Sequence, residues 1–140
     1  MKQIDRVPRR ALALGVALSL ALLGGAHAAE LKLSGDNEVP AVKTMASGSG
    51  EISVAPDGAV SGSIKTVSLS GTAAHIHAGA AGTNGPVVIP LVKGTDGVWS
   101  VPPGAKLTAE QMKGFKAGDL YVNVHSDTNK GGEIRAQLIP

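Results

Sequence analysis

The amino-acid sequence predicts an all-β fold, a Greek-key antiparallel β-sandwich with one short helix. The first observation is composition, because 19 glycines and 8 prolines among 140 residues exceed the average usage of roughly 12%, without a Gly-x-y period. The second is an alternation of apolar and polar residues in short segments separated by turn residues. The third is length, since 140 residues suffice for one domain and exclude a multidomain enzyme.

Four segments alternate with the period of a half-buried strand. They are residues 31–33, 52–54, 60–64 and 120–124. Between the second and third segments, Pro56, Asp57 and Gly58 predict a short hairpin, because glycine adopts positive φ without steric cost.

Two later segments predict further strands. Residues 86–91 are continuously apolar and contain Pro86 and Pro90, which place a strand at the edge of a sheet or mark its ends. The turn-forming residues 127–132 return the chain into a last strand, residues 133–138. We therefore expect about seven or eight strands.

One segment, residues 107–115, departs from the alternation. Thr108 and Gln111 have the spacing of a capping box, in which the threonine hydroxyl accepts from the backbone of the glutamine and the glutamine side chain returns to the cap. We therefore expect one short helix here.

The first 28 residues have the features of a secretory signal peptide. A basic start precedes an apolar run, residues 11–23, which is shorter than the ~20 residues that span a bilayer. Small residues follow, with an Ala-x-Ala ending at Ala28. We predict a signal peptide over residues 1–28, a mature domain over residues 29–140, and a periplasmic or secreted location. Arg9 and Arg10 leave ordinary secretion and twin-arginine export both open.

The formal net charge of +2 and the pI near 9.0 come from this leader. It carries four of the thirteen Lys and Arg residues and one of the eleven acids, so nine basic and ten acidic residues remain and the mature net charge is −1. That balance, with one Trp, one Tyr and one Phe, disfavours nucleic-acid binding. The absence of cysteine excludes disulfides and a lipoprotein anchor, and leaves His, carboxylate, Met or backbone groups as metal ligands.

All three histidines of the mature chain fall on polar faces of predicted strands. His75 and His77 share one face, with Cα atoms roughly 6.5–7 Å apart. His125 shares a face with Tyr121 and Asn123. If the two strands are neighbours, cross-strand Cβ separations of about 4.5–5.5 Å let His125 complete a three-imidazole site. We predict a metal site of His75, His77 and His125, with ordinary surface histidines as the alternative.

Three neutral imidazoles without a thiolate suit copper, zinc or nickel, and Cu(II) binds most tightly of these. Zinc with an open coordination position is the alternative. No catalytic residue is predicted, since the acids nearest to His125 in sequence, Asp127 and Glu133, are interpreted as turn and edge-strand residues.

The leading hypothesis is an exported protein that stores, buffers or delivers copper. A structural or interaction module without metal, with an unidentified protein partner, is the second. A redox enzyme acting on superoxide is the third.

Four motifs occur in an order that resembles the CHRD domain, named from chordin. They are residues 33–40, 74–88, 118–126 and 131–135. The resemblance implies a small β-sandwich that occurs alone in bacterial exported proteins and as repeats in chordin. Ala136 departs from it, because the family usually has glycine after the arginine.

The domain is also similar in outline to copper/zinc superoxide dismutase, which has a His-x-His strand and a late Gly-x-Arg strand. This chain lacks the bridging histidine, the zinc loop and the cysteine pair. The similarity therefore implies a superoxide-dismutase-like fold and copper binding more than dismutase activity.

Two charged residues of these motifs have predicted structural roles. Glu38 is expected to bond to loop amides or to a ligand histidine, with metal binding as the alternative. Arg135 is expected to pair with Glu133 or Asp119, with attraction of an anion as the alternative.

Overall fold

The computed structural model describes residues 24–140, and within them it contains nine strands and one α-helix. The predicted signal peptide lies outside the described residues except for its last five, so it stays a prediction. Across residues 24–140, no helix is both long and apolar enough to cross a membrane. The elements in chain order are β1 (His27–Ser34), β2 (Ser47–Val54), β3 (Val60–Val67), β4 (Gly71–Ala78), β5 (Val87–Pro90), β6 (Val92–Lys93), β7 (Val98–Ser100), α1 (Ala109–Ala117), β8 (Leu120–Ser126) and β9 (Ile134–Gln137).

The strands form one antiparallel sheet in the order β5-β4-β8-β9-β1-β2-β3-β7-β6. Its two edge strands, β5 and β6, are separated in the chain only by Leu91, whose N–H donates to the carbonyl of Ala74 in β4 at 2.9 Å. The sheet therefore bends until its edges meet and nearly closes. A Cβ at Gly71 in β4 would lie 2.8 Å from Trp99 Cζ2 in β7, so the two halves face each other across the core. The predicted all-β fold is confirmed.

Strands β1, β2, β3 and β8 contain the four alternating segments and extend them. Strands β5 and β9 are one residue shorter at each end than the strands predicted over residues 86–91 and 133–138. The structure adds β6 and β7, which are too short to show an alternation. The hairpin between β2 and β3 has Gly58 at φ +88, and β5 lies at a sheet edge, both as predicted. The last strand lies between β8 and β1, so the interpretation of Glu133 as an edge-strand residue is wrong.

Helix α1 begins with the predicted capping box. The Thr108 hydroxyl accepts from the Gln111 backbone at 3.2 Å, and the Gln111 side chain accepts from the Thr108 N–H at 2.8 Å. The helix lies two residues later at each end than predicted. Its Phe115 is buried in the core, which attaches the helix to the sheet.

The core fixes which way the histidines of β4 point. Ile76 in β4 and Val122 and Val124 in β8 are fully buried in the apolar core. Because side chains alternate across a strand, burying Ile76 turns His75 and His77 to the opposite face. The candidate site therefore lies on the outer face of β4 and β8.

Candidate metal centre

Strands β4 and β8 are direct neighbours, as the three-histidine prediction requires. In their register His75 lies opposite Asn123, His77 opposite Tyr121, and Ala73 opposite His125. No two of the histidines are therefore a direct cross-strand pair. The His125 ring instead reaches His75 along the diagonal, a distance that long side chains can cover.

The structure brings all three predicted ligands together. One nitrogen of each ring lies within 4.8 Å of the others, and His75 Nδ1 and His125 Nε2 are 3.0 Å apart. Metal–nitrogen bonds of about 2.0–2.1 Å hold two donors on one ion at most about 4.2 Å apart. Small ring rotations therefore suffice to place His75, His77 and His125 around a single ion.

Backbone carbonyls fix the orientation of two rings. His77 Nδ1 donates to the Gly85 carbonyl at 2.9 Å, and His125 Nδ1 donates to the Lys130 carbonyl at 2.9 Å. A ring nitrogen bonded to a carbonyl carries the proton, so the opposite nitrogen, Nε2, has the free lone pair in both residues. Outer hydrogen bonds of this kind are typical of metal-binding histidines.

His75 supplies the third nitrogen through its Nδ1 atom. Because His125 Nε2 has no proton, the 3.0 Å contact is a hydrogen bond from His75 Nδ1 to His125 Nε2. A bound metal would replace that proton, which has to move to His75 Nε2 or to solvent. The donor set is then Nδ1 of His75 with Nε2 of His77 and of His125.

The surroundings favour neutral imidazoles. Burial lowers the pKa of His75, and positive charge on His125 and His77 lowers it further. Burial also lowers the pKa of His77, although the hydrogen bond to the Gly85 carbonyl partly opposes this. Since metals bind the neutral ring, both shifts prepare the cluster for a cation.

Tyr121 holds His77 in two ways. The two rings stack with centroids 4.8 Å apart and planes 3° apart. The Tyr121 hydroxyl also accepts from the Gly85 N–H at 3.2 Å, and the carbonyl of the same Gly85 accepts from His77. A Cβ at Gly85 would lie 1.6 Å from the Ala78 carbonyl oxygen, so only glycine fits this position.

Arg135 is buried behind Tyr121, with 1% of its surface exposed. Its guanidinium carbon lies 3.4 Å from the centroid of the Tyr121 ring, a cation–π contact. It donates to the Ala80 carbonyl at 3.1 Å and to Asn84 Oδ1 at 3.3 Å. Arg135 thus holds the loop of residues 79–86 over the polar face of the sheet.

Both predicted partners of Arg135 are wrong, since its side-chain hydrogen bonds go to Ala80, Asn84 and Gln137. Glu133 instead accepts from Thr44 at 2.6 Å and from Ser126 at 2.5 Å. These hydrogen bonds lower the pKa of the Glu133 carboxyl, which is a structural acceptor.

Glu38 is buried close to Asn123 and Arg135, which the alternation of polar and apolar residues did not predict. Burial raises the pKa of its carboxyl, whereas the charge of Arg135 and the contact with Asn123 lower it by less. Among the residues that the structure describes, the possible metal cluster contains only His75, His77 and His125. Glu38 is therefore a neighbour of the cluster and is not one of its ligands.

The arrangement can bind one ion and leave one side open. His77 is buried with 8% exposed, whereas His75 and His125 are half-buried, so a ligand or partner can approach from their side. Three neutral nitrogen donors suit a borderline metal such as copper or zinc.

Comparison with known proteins places the chain in a family. Neither a curated protein nor a solved structure matches the chain. The family model of the CHRD domain matches residues 29–138, which include all nine strands apart from the first two residues of β1. The predicted resemblance is thereby confirmed, and the chain belongs to the CHRD-domain family.

Proposed function

We propose that this protein is an exported carrier that holds one copper ion through His75, His77 and His125, for storage, buffering or delivery. The observation that supports this most is the convergence of three imidazoles, two of them oriented by backbone carbonyls. Of copper, zinc and nickel, copper is the metal that an all-imidazole site binds most tightly. Export rests on the signal-peptide features of residues 1–28.

Arg135 is not placed to serve a superoxide-consuming enzyme. Steering of an anion needs exposed positive charge near the metal, and Arg135, the only arginine in residues 29–140, is buried against Tyr121. Exposed positive charge beside the cluster comes from Lys130, whose carbonyl accepts from His125. The half-buried His75 and His125 instead give a metal a way in and out.

Titration of the purified protein with Cu(II) tests the proposal. We expect one equivalent to bind, with nitrogen hyperfine structure in the electron paramagnetic resonance spectrum. Replacing any one of His75, His77 or His125 with alanine should weaken binding at least about tenfold, because even residues behind the ligands are typically worth 10–100-fold.

The control is Met45→Leu, which removes a soft donor whose side chain is 91% exposed. This variant should bind copper like the wild type. Wild-type binding no tighter than micromolar would overturn the proposal and favour an interaction module without metal. Tighter binding of Zn(II) than of Cu(II) would change the assigned metal.

A further inference from the structure

Three buried acceptor atoms in and next to the cluster have no hydrogen-bond partner among residues 24–140. One is Oε1 of Glu38, and the other two, on the polar face of β4 and β8, are Nε2 of His77 and Oδ1 of Asn123, in side chains that are 8% and 2% exposed. An acceptor that is removed from water and left unpaired is costly, so such atoms in a folded protein call for an explanation. The two atoms on β4 and β8 would both be satisfied by a cation that lies between them.

The position of Asn123 on the sheet brings it to the cluster. It lies directly opposite His75 and two residues before His125, on the same face of β8. Its nitrogen, Nδ2, points away, toward the Gly131 carbonyl at 3.5 Å. The amide oxygen, Oδ1, is the end of the side chain that has no hydrogen-bond partner in the described part of the chain.

We infer that Asn123 Oδ1 is a fourth donor to the cation held by His75, His77 and His125, which makes the site one for a divalent ion. This inference rests on the proposed function. An amide oxygen is a neutral, hard ligand of the kind that serves as a weak axial donor in copper proteins. Cu(II) and Zn(II) gain from a fourth donor, whereas Cu(I) is satisfied by three nitrogens.

Two substitutions at Asn123 test this assignment. Asn123→Leu keeps the size of the side chain and removes the donor, whereas Asn123→Asp keeps the oxygen and adds negative charge. The control is Asn37→Leu, which makes the same substitution at an exposed position whose side chain donates to the Arg135 carbonyl at 3.1 Å. Cu(II) and Cu(I) affinities are measured by chelator competition, together with the electron paramagnetic resonance spectrum of the Cu(II) form.

We expect Asn123→Leu to weaken Cu(II) binding about tenfold and to change Cu(I) binding less than about threefold. Its Cu(II) spectrum should shift, and Asn123→Asp should strengthen Cu(II) binding. If Asn123→Leu does not fold, the test uses the Cu(II) electron paramagnetic resonance spectrum of Asn123→Asp. A spectrum equal to that of the wild type would contradict coordination by residue 123.

Failure of the fourth donor can be distinguished from failure of the proposed copper carrier. If the wild type binds copper through the three histidines while Asn123→Leu matches Asn37→Leu in affinity and spectrum, the fourth donor is wrong and the carrier stands. If the wild type binds no copper, both fail.

Discussion

His77 is the most constrained of the three candidate ligands. It is buried, hydrogen-bonded to the Gly85 carbonyl and stacked on Tyr121. A ring that is already fixed loses little freedom when a metal binds, which raises affinity without any new contact. Residues that never touch the metal, Tyr121 above all, therefore contribute to its binding.

Tyr121→Phe tests this contribution. The variant keeps the stacked ring and removes the hydroxyl that accepts from the Gly85 N–H, so the peptide that orients His77 loses a support. We expect copper binding to weaken about tenfold and the free energy of unfolding to fall by about 1 kcal/mol. Chelator competition and urea unfolding measure the two effects. Unchanged copper affinity would mean that the Gly85 peptide is held well enough by the rest of its loop.

At the scale of elements, the sequence predicted the two strands that carry the histidines. A His-x-His pair and a run with His125 on the polar side predict one shared face, because side chains alternate along a strand. The register was not predictable. It places His125 opposite Ala73, next to an irregularity between Gly71 and Ala73, and register depends on pairing between residues that are distant in the chain.

The loops explain why some residues on a predicted polar face are buried. A polar face predicts exposure to water, yet Arg135 is buried and the loop of residues 79–86 lies over it. The same loop is tied to the β1–β2 connection, since Asn84 Nδ2 donates to the Val39 carbonyl at 2.8 Å. Period-two patterns show which residues share a face, but they do not show what covers that face.

At the scale of the whole molecule, the lowered histidine pKa values link pH to stability. The unfolded chain binds protons at these histidines near the ordinary pKa of 6.5, whereas the folded protein binds them only at lower pH. Below about pH 6.5 the unfolded state therefore binds more protons, and stability is lost as pH falls. The stability contributed by neutral His75 and His77 is fully present above that pH.

We expect the metal-free protein to unfold at lower urea concentration at pH 5.5 than at pH 7.5. His77→Gln should reduce this difference. The comparison between the two proteins isolates the histidine, because Glu38, whose pKa is raised by burial, acts in the opposite direction in both. Equal pH dependence in the two proteins would contradict a lowered His77 pKa.

Copper should stabilise the whole fold, because its ligands come from two strands that are separated in sequence and meet only in the folded protein. A ligand that binds only the native state, at a free concentration of 100 times its Kd, adds about 2.7 kcal/mol, which raises the Tm of a domain of this size by roughly 10 °C or more. Thermal unfolding followed by circular dichroism, with and without copper, measures the shift. A variant with all three histidines replaced by alanine should show none of it. An equal rise in Tm in that variant would mean that the stabilising copper binds at another site. A rise that is lost with the histidines means that copper stabilises the sheet through the metal centre.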